Sequence, residues 1–205
     1  MAVRRLELGA EALKALAHPL RVQILRVLEQ RDRASVTSLA AELGETTAAV
    51  SYHLRQLARH GVVEQAPADG PAEDDGAPGP RRVGRRQRWW RMAVDELHMD
   101  AVALTRSPDT REAFGFLARE AVAERSRRLA HWFATATGWP QEWQRAATEM
   151  EGLLTLDAAQ TRALADDLKA LVDRYRELPP GDGARRVDVQ YAVFPADLAD
   201  DAGTT

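Results

Sequence analysis

Residues 46–63 read TTAAVSYHLRQLARHGVV, and this stretch decides the fold of the N-terminal part of the chain. Val50, Leu54 and Leu57 follow one another at intervals of four and three residues, which places them on one face of a helix. Thr46 is a suitable N-cap, and Gly61 is a suitable end. A helix over residues 47–60 is therefore predicted, with small and polar side chains on its outer face.

The preceding residues predict a partner for this helix. The stretch SVTSLAAELG, residues 35–44, offers Thr37 as N-cap, Leu39 and Leu43 as a core pair, and Gly44 as the end of a short helix. Two helices separated by a turn at Gly44, the second with a polar outer face, have the spacing of a helix-turn-helix unit. Further upstream, Pro19 is expected to begin a new helix. The apolar residues there have helical spacing: Leu13, Leu16, Leu20, Ile24 and Leu28.

A β-hairpin is predicted after the second helix. Residues 62–66 (VVEQA) and 86–94 (RQRWWRMAV) read as its strands, and the Pro- and Gly-rich residues 66–86 form a long loop, the wing. Residues 81–91 contain six arginines and no acidic residue. Trp89 and Trp90 are adjacent in a strand, so they point to opposite faces and one of them is expected in the core.

The second half of the chain has a different pattern. A connecting helix is expected over residues 95–105, and a long helix runs from Ser107 to about Thr137. Residues 150–156 and 187–193 alternate as strands do, and Asp157 with Gln160 predicts a capped helix between them. The predicted fold class is mainly α with small β (α+β): a winged helix-turn-helix, a long dimerisation helix and a small strand-helix-strand unit. The predicted domains are 1–95, for DNA binding, and 96–205, for dimerisation and effector binding.

Composition excludes several classes of protein. There is no cysteine, so disulfides and thiolate chemistry are excluded. The longest stretch without a charged side chain, Leu129 to Gln141, is 13 residues long and too short to span a bilayer, so a cytoplasmic protein is expected. The charge is segregated: residues 1–95 carry a net charge of +3, and residues 96–205 carry −6. The net positive charge lies in the part of the chain that is predicted to bind DNA.

Several motifs together resemble a known family. LAHPLRVQILRVL, then SVTSLAAELGETTAAVSYHLRQLARHGVVE, then a wing closing on RQRWWRM, are similar to the winged helix-turn-helix of ArsR/SmtB-type transcription regulators. The similarity covers residues 10–95, and residues 96–205 resemble the C-terminal extension of some actinobacterial regulators. The resemblance implies a homodimer that places one recognition helix per subunit in successive major grooves of double-stranded DNA. It does not extend to the metal sensors, because residues 35–43 lack their cysteine motif.

The predicted DNA-binding residues lie on the outer helical face and in the wing. Small residues in the first turn let the backbone approach DNA, and longer side chains further along reach the base edges. Arginines in the wing are expected to bind phosphates or to enter the minor groove. The predicted contacts are Thr46, Thr47, Ala48, Ser51, Tyr52, Arg55, Arg85, Arg86 and Arg88.

Other functions are weighed against this interpretation. A protein-interaction adaptor that keeps the winged helix without sequence-specific DNA binding is the alternative. An enzyme is not expected, because the sequence has no nucleotide-binding glycine loop and no Gly-x-Ser-x-Gly motif. An intersubunit zinc site at His98 or His131 lacks preformed ligand spacing, so no metal or cofactor is expected. His18 and His53 are expected to pack within the motif.

The aromatic residues of the second half leave one further question open. Trp132, Trp139, Trp143, Tyr175 and Tyr191 are compatible either with core packing, which is favoured, or with an apolar pocket for an unidentified small-molecule effector. Neither the sequence of the DNA target nor the direction of regulation follows from the sequence.

Overall fold

The computed structural model describes residues 4–67 and 88–196, except for the side chain of Val102. Contacts divide the chain into two compact units, residues 2–124 and residues 125–205. The helices are α1 (Ala10–Leu16), α2 (Pro19–Gln30), α3 (Val36–Leu43), α4 (Thr47–Arg59), α5 (Ala101–Arg106), α6 (Pro108–Thr135), α7 (Gln141–Ala146) and α8 (Ala158–Arg176). The strands are β1 (Arg5–Glu7), β2 (Ala34–Ser35), β3 (Val63–Ala66), β4 (Trp89–Met92) and β5 (Glu96–His98). The predicted class, mainly α with small β, is confirmed.

The core of residues 2–124 lies between the first four helices and the sheet. Pro19 occupies the first turn of α2, as predicted, and His18 precedes it as N-cap. The helical apolar pattern is buried as expected, because each helix turns its leucine-rich side toward the others. The residues at the centre are Leu13, Ile24, Leu28, Leu39, Val50, Leu54 and Leu57, which are at most 1% exposed.

The first helix of the helix-turn-helix begins two residues earlier than Thr37 suggests. Ser35, not Thr37, is the N-cap of α3: its hydroxyl accepts from Ser38 N at 3.0 Å, and Ser38 Oγ accepts from Ser35 N at 3.0 Å. This reciprocal box satisfies two donors at the helix start, which explains why it prevails over the single hydroxyl of Thr37. Gly44 ends α3 with φ +67°, a left-handed conformation that favours glycine.

A three-stranded antiparallel sheet follows in the order β2-β4-β3. The predicted hairpin is thus present, and β2 adds a strand that the sequence did not reveal. Trp90 pairs with Ala34 and Gln65 and is buried, whereas Trp89 is half-buried with the guanidinium of Arg33 over its ring at 4.7 Å. One tryptophan therefore belongs to the core, as predicted. Residues 68–87 of the wing lie outside the described residues.

The predicted connecting helix over residues 95–105 is partly wrong. Residues Glu96–His98 form β5, which pairs in parallel with β1, and the helix begins only at Ala101, where Asp100 accepts from Ala103 N at 3.0 Å. The strand forms because Arg5–Glu7 supplies a partner about ninety residues away in sequence. Local periodicity contains no information on such a partner.

Residues 125–205 contain the end of α6, then α7 and α8. The predicted capping box is confirmed: Asp157 Oδ1 accepts from Gln160 N at 2.8 Å, and Gln160 Oε1 accepts from Asp157 N at 3.0 Å. The two predicted strands that flank α8 are wrong, because residues 147–156 and 184–196 form no strand in the structure. Their alternating apolar side chains are exposed, apart from the half-buried Val193, so neither a buried face nor a partner strand stabilises them.

Candidate nucleic-acid interface

Helix α4 carries most of the residues that were predicted to contact DNA. Its core side is fixed by Val50, Leu54 and Leu57, which are fully buried. Thr46 caps the helix, with its Oγ1 accepting from Ala49 N at 3.1 Å. The predicted DNA contact Thr46 therefore also has a structural role, and its hydroxyl is left with a donor proton for another partner.

The outer face of α4 is exposed. Thr47, Ala48, Tyr52 and Arg55 are exposed, and Ser51 is half-buried. Because these residues recur at intervals of three and four, they share one side of the helix. Among the described residues, Arg55 has neither a hydrogen-bond partner nor an ion-pair partner. The structure thus brings five predicted contacts onto one surface, which we call the α4 outer face.

A basic cluster lies behind this surface. The rings of His18 and His53 have their centroids 4.4 Å apart, and the ring of Tyr52 meets that of His53 edge-on at 5.1 Å. Burial lowers the pKa of His53, and its neighbours His18 and Arg21 lower it further, whereas Glu45 raises it. His18 and His53 pack within the motif as predicted. Arg21 was not predicted as a site residue, because it belongs to α2 and only the packing of α2 on α4 brings its side chain to this surface.

The wing contributes one described residue to the predicted site. Arg88, immediately before β4, is exposed and has no ion-pair partner among the residues described. Arg85 and Arg86 lie outside the described residues. The adjacent Arg91 is engaged, since its guanidinium contacts Glu64 Oε1 at 2.6 and 2.7 Å.

Three other possibilities considered in the sequence are a metal site, a membrane-spanning helix and an aromatic effector pocket. Within residues 4–67 and 88–196, no group of three or more His, Cys, Asp or Glu side chains could hold a metal ion. In the same part of the chain, no helix combines the length and hydropathy needed to cross a bilayer. Trp132, Trp139 and Trp143 form a chain of ring contacts at 6.1 and 6.4 Å. The three tryptophans are half-buried and Tyr175 and Tyr191 are exposed, so the favoured core packing is wrong for these residues. The effector pocket stays a prediction.

Comparison with known proteins identifies the first part of the chain. A family model described as a helix-turn-helix domain matches residues 16–66. Two curated relatives are the uncharacterized HTH-type transcriptional regulators MT0088 and Rv0081 of Mycobacterium tuberculosis, strains CDC 1551 / Oshkosh and ATCC 25618 / H37Rv. Each is 42% identical over 66 residues, which is 32% of this chain and 57% of the relative. The match thus spans little more than half of the length of these relatives. Both are named as transcriptional regulators, in agreement with the prediction of a regulator rather than an enzyme.

Solved structures are matched more weakly. The winged helix-turn-helix domain of Mb0332 from Mycobacterium bovis, described as homodimeric and as a possible ArsR-family regulator, is 23% identical, with 56% of this chain and 77% of that chain covered and a TM-score of 0.32. HlyU from Vibrio cholerae is also 23% identical, with 52% and 84% covered and a TM-score of 0.29. The family model carries the assignment: residues 16–66 are a helix-turn-helix domain, and the resemblance of this part of the chain to ArsR/SmtB-type winged helix-turn-helix regulators is confirmed.

Proposed function

We propose that this protein is a sequence-specific, DNA-binding transcriptional regulator that acts as a homodimer. Helix α4 reads the major groove, and the wing contacts the backbone or the minor groove. The dimer represses transcription, because a protein bound over a promoter blocks access of the polymerase.

The observation that carries this proposal is the α4 outer face. It presents small residues in its first turn, polar side chains along one side and an arginine without a partner among the described residues. An ordinary solvated helix surface in this protein looks different: on α8, Arg162 pairs with Asp166 at 3.2 Å and Lys169 pairs with Asp173 at 3.3 Å. Because α4 has no such pair with any described residue, its donors are available for an external partner.

The chemistry of this face suits base edges. The hydroxyls of Thr47 and Ser51 can donate to or accept from a base or a phosphate, and the methyl groups of Thr47 and Ala48 can contact a thymine methyl. Arg55 can bind guanine through two parallel hydrogen bonds, a contact that contributes about 1–3 kcal/mol of discrimination. Tyr52 reaches further and is held from behind by the ring of His53.

The wing and the flanking basic residues supply attraction that does not depend on sequence. Arg88 is exposed at the start of β4, and it continues the arginine-rich run of residues 81–91. Contacts of this kind neutralise phosphates and fix the register of the protein on the duplex. We assign Arg85 and Arg86 the same role from their sequence alone.

A second copy of the chain is the partner we infer for α6. Val122, Leu129 and Phe133 are exposed, and their spacing of seven and four residues places them along one stripe of the helix. In addition, none of the described residues 125–196 is buried. A compact unit without buried residues gains stability when a second copy covers its apolar side chains. The two recognition helices of such a dimer would address two half-sites of a near-palindromic operator.

Fluorescence anisotropy tests the proposed function. Purified protein is titrated into labelled duplex DNA from its own upstream region and into a scrambled duplex, at low and at near-physiological salt. We expect a preference for the first duplex on the order of a thousandfold that survives the higher salt. Arg55→Ala should reduce this preference, whereas Arg162→Ala, on α8, should not.

Two results would contradict the proposal. Weak binding that is equal on both duplexes and disappears with salt reflects backbone attraction only. Such a result favours the adaptor, which has no need to read bases. An unchanged preference in Arg55→Ala would show that α4 does not read the DNA through this residue.

A further inference from the structure

Three basic side chains from two helices meet beside the α4 outer face. His18 precedes α2, Arg21 lies in its first turn, and His53 lies on α4 directly behind the exposed Tyr52. The His18 and His53 rings are 4.4 Å apart, and Arg21 lies close enough to Tyr52 and His53 for the charge of one group to influence the others. We call His18, Arg21 and His53 the basic cluster.

Two nitrogen atoms of the basic cluster are buried without a partner. Arg21 Nε and His53 Nδ1 have no hydrogen-bond partner among the described residues, and His53 as a whole is only 9% exposed. His18 differs, because its Nδ1 accepts from Leu20 N at 3.1 Å. Buried polar atoms without a partner are uncommon and disfavoured, so these two atoms indicate a ligand that supplies the missing contact.

The charge of the surroundings defines the ligand. The groups that influence His53 electrostatically are His18 and Arg21 from α2, and Glu45 from the turn before α4. Tyr52 also acts electrostatically on Arg21. The carboxylate of Glu45 is thus set against the guanidinium of Arg21 and the two imidazoles. Among the described residues, Arg21 forms no ion pair. An anion with several acceptor oxygens complements this arrangement, because it can accept from a guanidinium and from an imidazole N–H.

We propose that Arg21 binds a backbone phosphate of DNA from its position beside the His18–His53 pair. This proposal rests on the proposed function and adds a contact from α2, outside both the recognition helix and the wing. Tyr52 is an exposed reader on the same side of α4, so a phosphate at Arg21 lies at the edge of the groove that α4 enters. The source of the phosphate is DNA, since the cluster adjoins the surface that presents the donors for bases.

The salt dependence of DNA binding tests this assignment. A residue that neutralises one phosphate contributes about 0.9 to the slope of log affinity against log salt, whatever the base sequence. Anisotropy titrations of the full chain between about 50 and about 200 mM salt should therefore show Arg21→Gln weakened about tenfold on upstream and scrambled DNA alike, with the slope reduced by about one. Arg21→Lys, which keeps the charge, should retain most of the slope.

Matched variants and a second anion separate the outcomes. Arg162→Gln makes the same charge change on α8 and should leave the slope unchanged. If wild-type protein binds DNA and Arg21→Gln has the wild-type slope, the phosphate site is wrong and the proposed function stands. If wild-type protein binds neither duplex, both fail. The second anion is inorganic phosphate, added at constant ionic strength while the His18 and His53 ring signals are followed by NMR. If phosphate shifts these signals but Arg21→Gln has no effect on DNA affinity, the site binds free phosphate and the DNA assignment is overturned.

Discussion

Arg26 on α2 and Glu124 on α6 form an ion pair, with Nε of Arg26 3.1 Å from Oε2 of Glu124. The Glu124 side chain is 7% exposed, and Nη2 of Arg26 also donates to the main-chain oxygen and the carboxylate of Glu120 at 3.0 and 2.8 Å. One guanidinium thus fixes two turns of α6 against the helix-turn-helix domain.

The first prediction concerns the stability of this junction. Arg26→Ala should lower the free energy of unfolding by about 3 kcal/mol, because it removes the Arg26 guanidinium from the buried Glu124 carboxylate. Denaturant unfolding followed by circular dichroism measures the change. The exposed pair of Arg162 and Asp166 on α8 is the control, and Arg162→Ala should have an effect below about 0.5 kcal/mol. Equal effects of the two substitutions would contradict the role assigned to Arg26.

Two adjacent threonines separate helix capping from DNA binding. Thr46→Ala removes the hydroxyl that accepts from Ala49 N and should lower the free energy of unfolding by about 1 kcal/mol. Thr47→Ala removes an exposed hydroxyl and should change stability by less than about 0.5 kcal/mol. We expect Thr47→Ala to weaken specific DNA binding nonetheless. Unfolding curves and anisotropy on the same two proteins test both statements, and a Thr47→Ala protein with wild-type affinity would remove Thr47 from the site.

Much of the N-terminal fold is predictable because its signals are local. Leucine spacing, the position of Pro19 and the glycines after α3 and α4 each determine structure within a few residues. The α4 outer face follows from the same pattern, since the buried residues Val50, Leu54 and Leu57 define the opposite side.

The features that could not be predicted depend on contacts distant in sequence. Arg21 joins the α4 surface only through the packing of α2 on α4, and β5 exists only because β1 pairs with it. The alternation in residues 150–156 and 187–193 predicts strands, but alternation supplies neither a partner nor a buried face.

The third prediction concerns pH. Burial lowers the pKa of His53, and His18 and Arg21 lower it further, so the unfolded chain binds this proton more readily than the folded chain. The contribution of His53 to stability is therefore complete above about pH 6.5 and is lost as the pH falls through its lower folded-state pKa. The free energy of unfolding should decline in this range, and His53→Gln should make the decline shallower.

Thermal or denaturant unfolding at a series of pH values below about 6.5 measures this decline. His131→Gln is the matched control, because His131 is exposed on α6 and has no ring neighbour among the described residues. The two variants should differ in the slope of stability against pH. Parallel curves for His53→Gln and the wild-type protein would show that His53 does not take up the proton that destabilises the fold.

The last prediction concerns the stripe of Val122, Leu129 and Phe133 on α6. We expect wild-type protein to sediment as a dimer at micromolar concentration, because exposed apolar side chains with heptad-like spacing pack against the same stripe of a second copy. Phe133→Glu places a charge in this contact and should shift the protein toward monomer. His131→Glu introduces the same negative charge on the opposite side of the helix and should leave the dimer intact. A wild-type monomer, or equal dissociation of both variants, would exclude this face as the dimer contact, and operator binding would then require another arrangement of the two recognition helices.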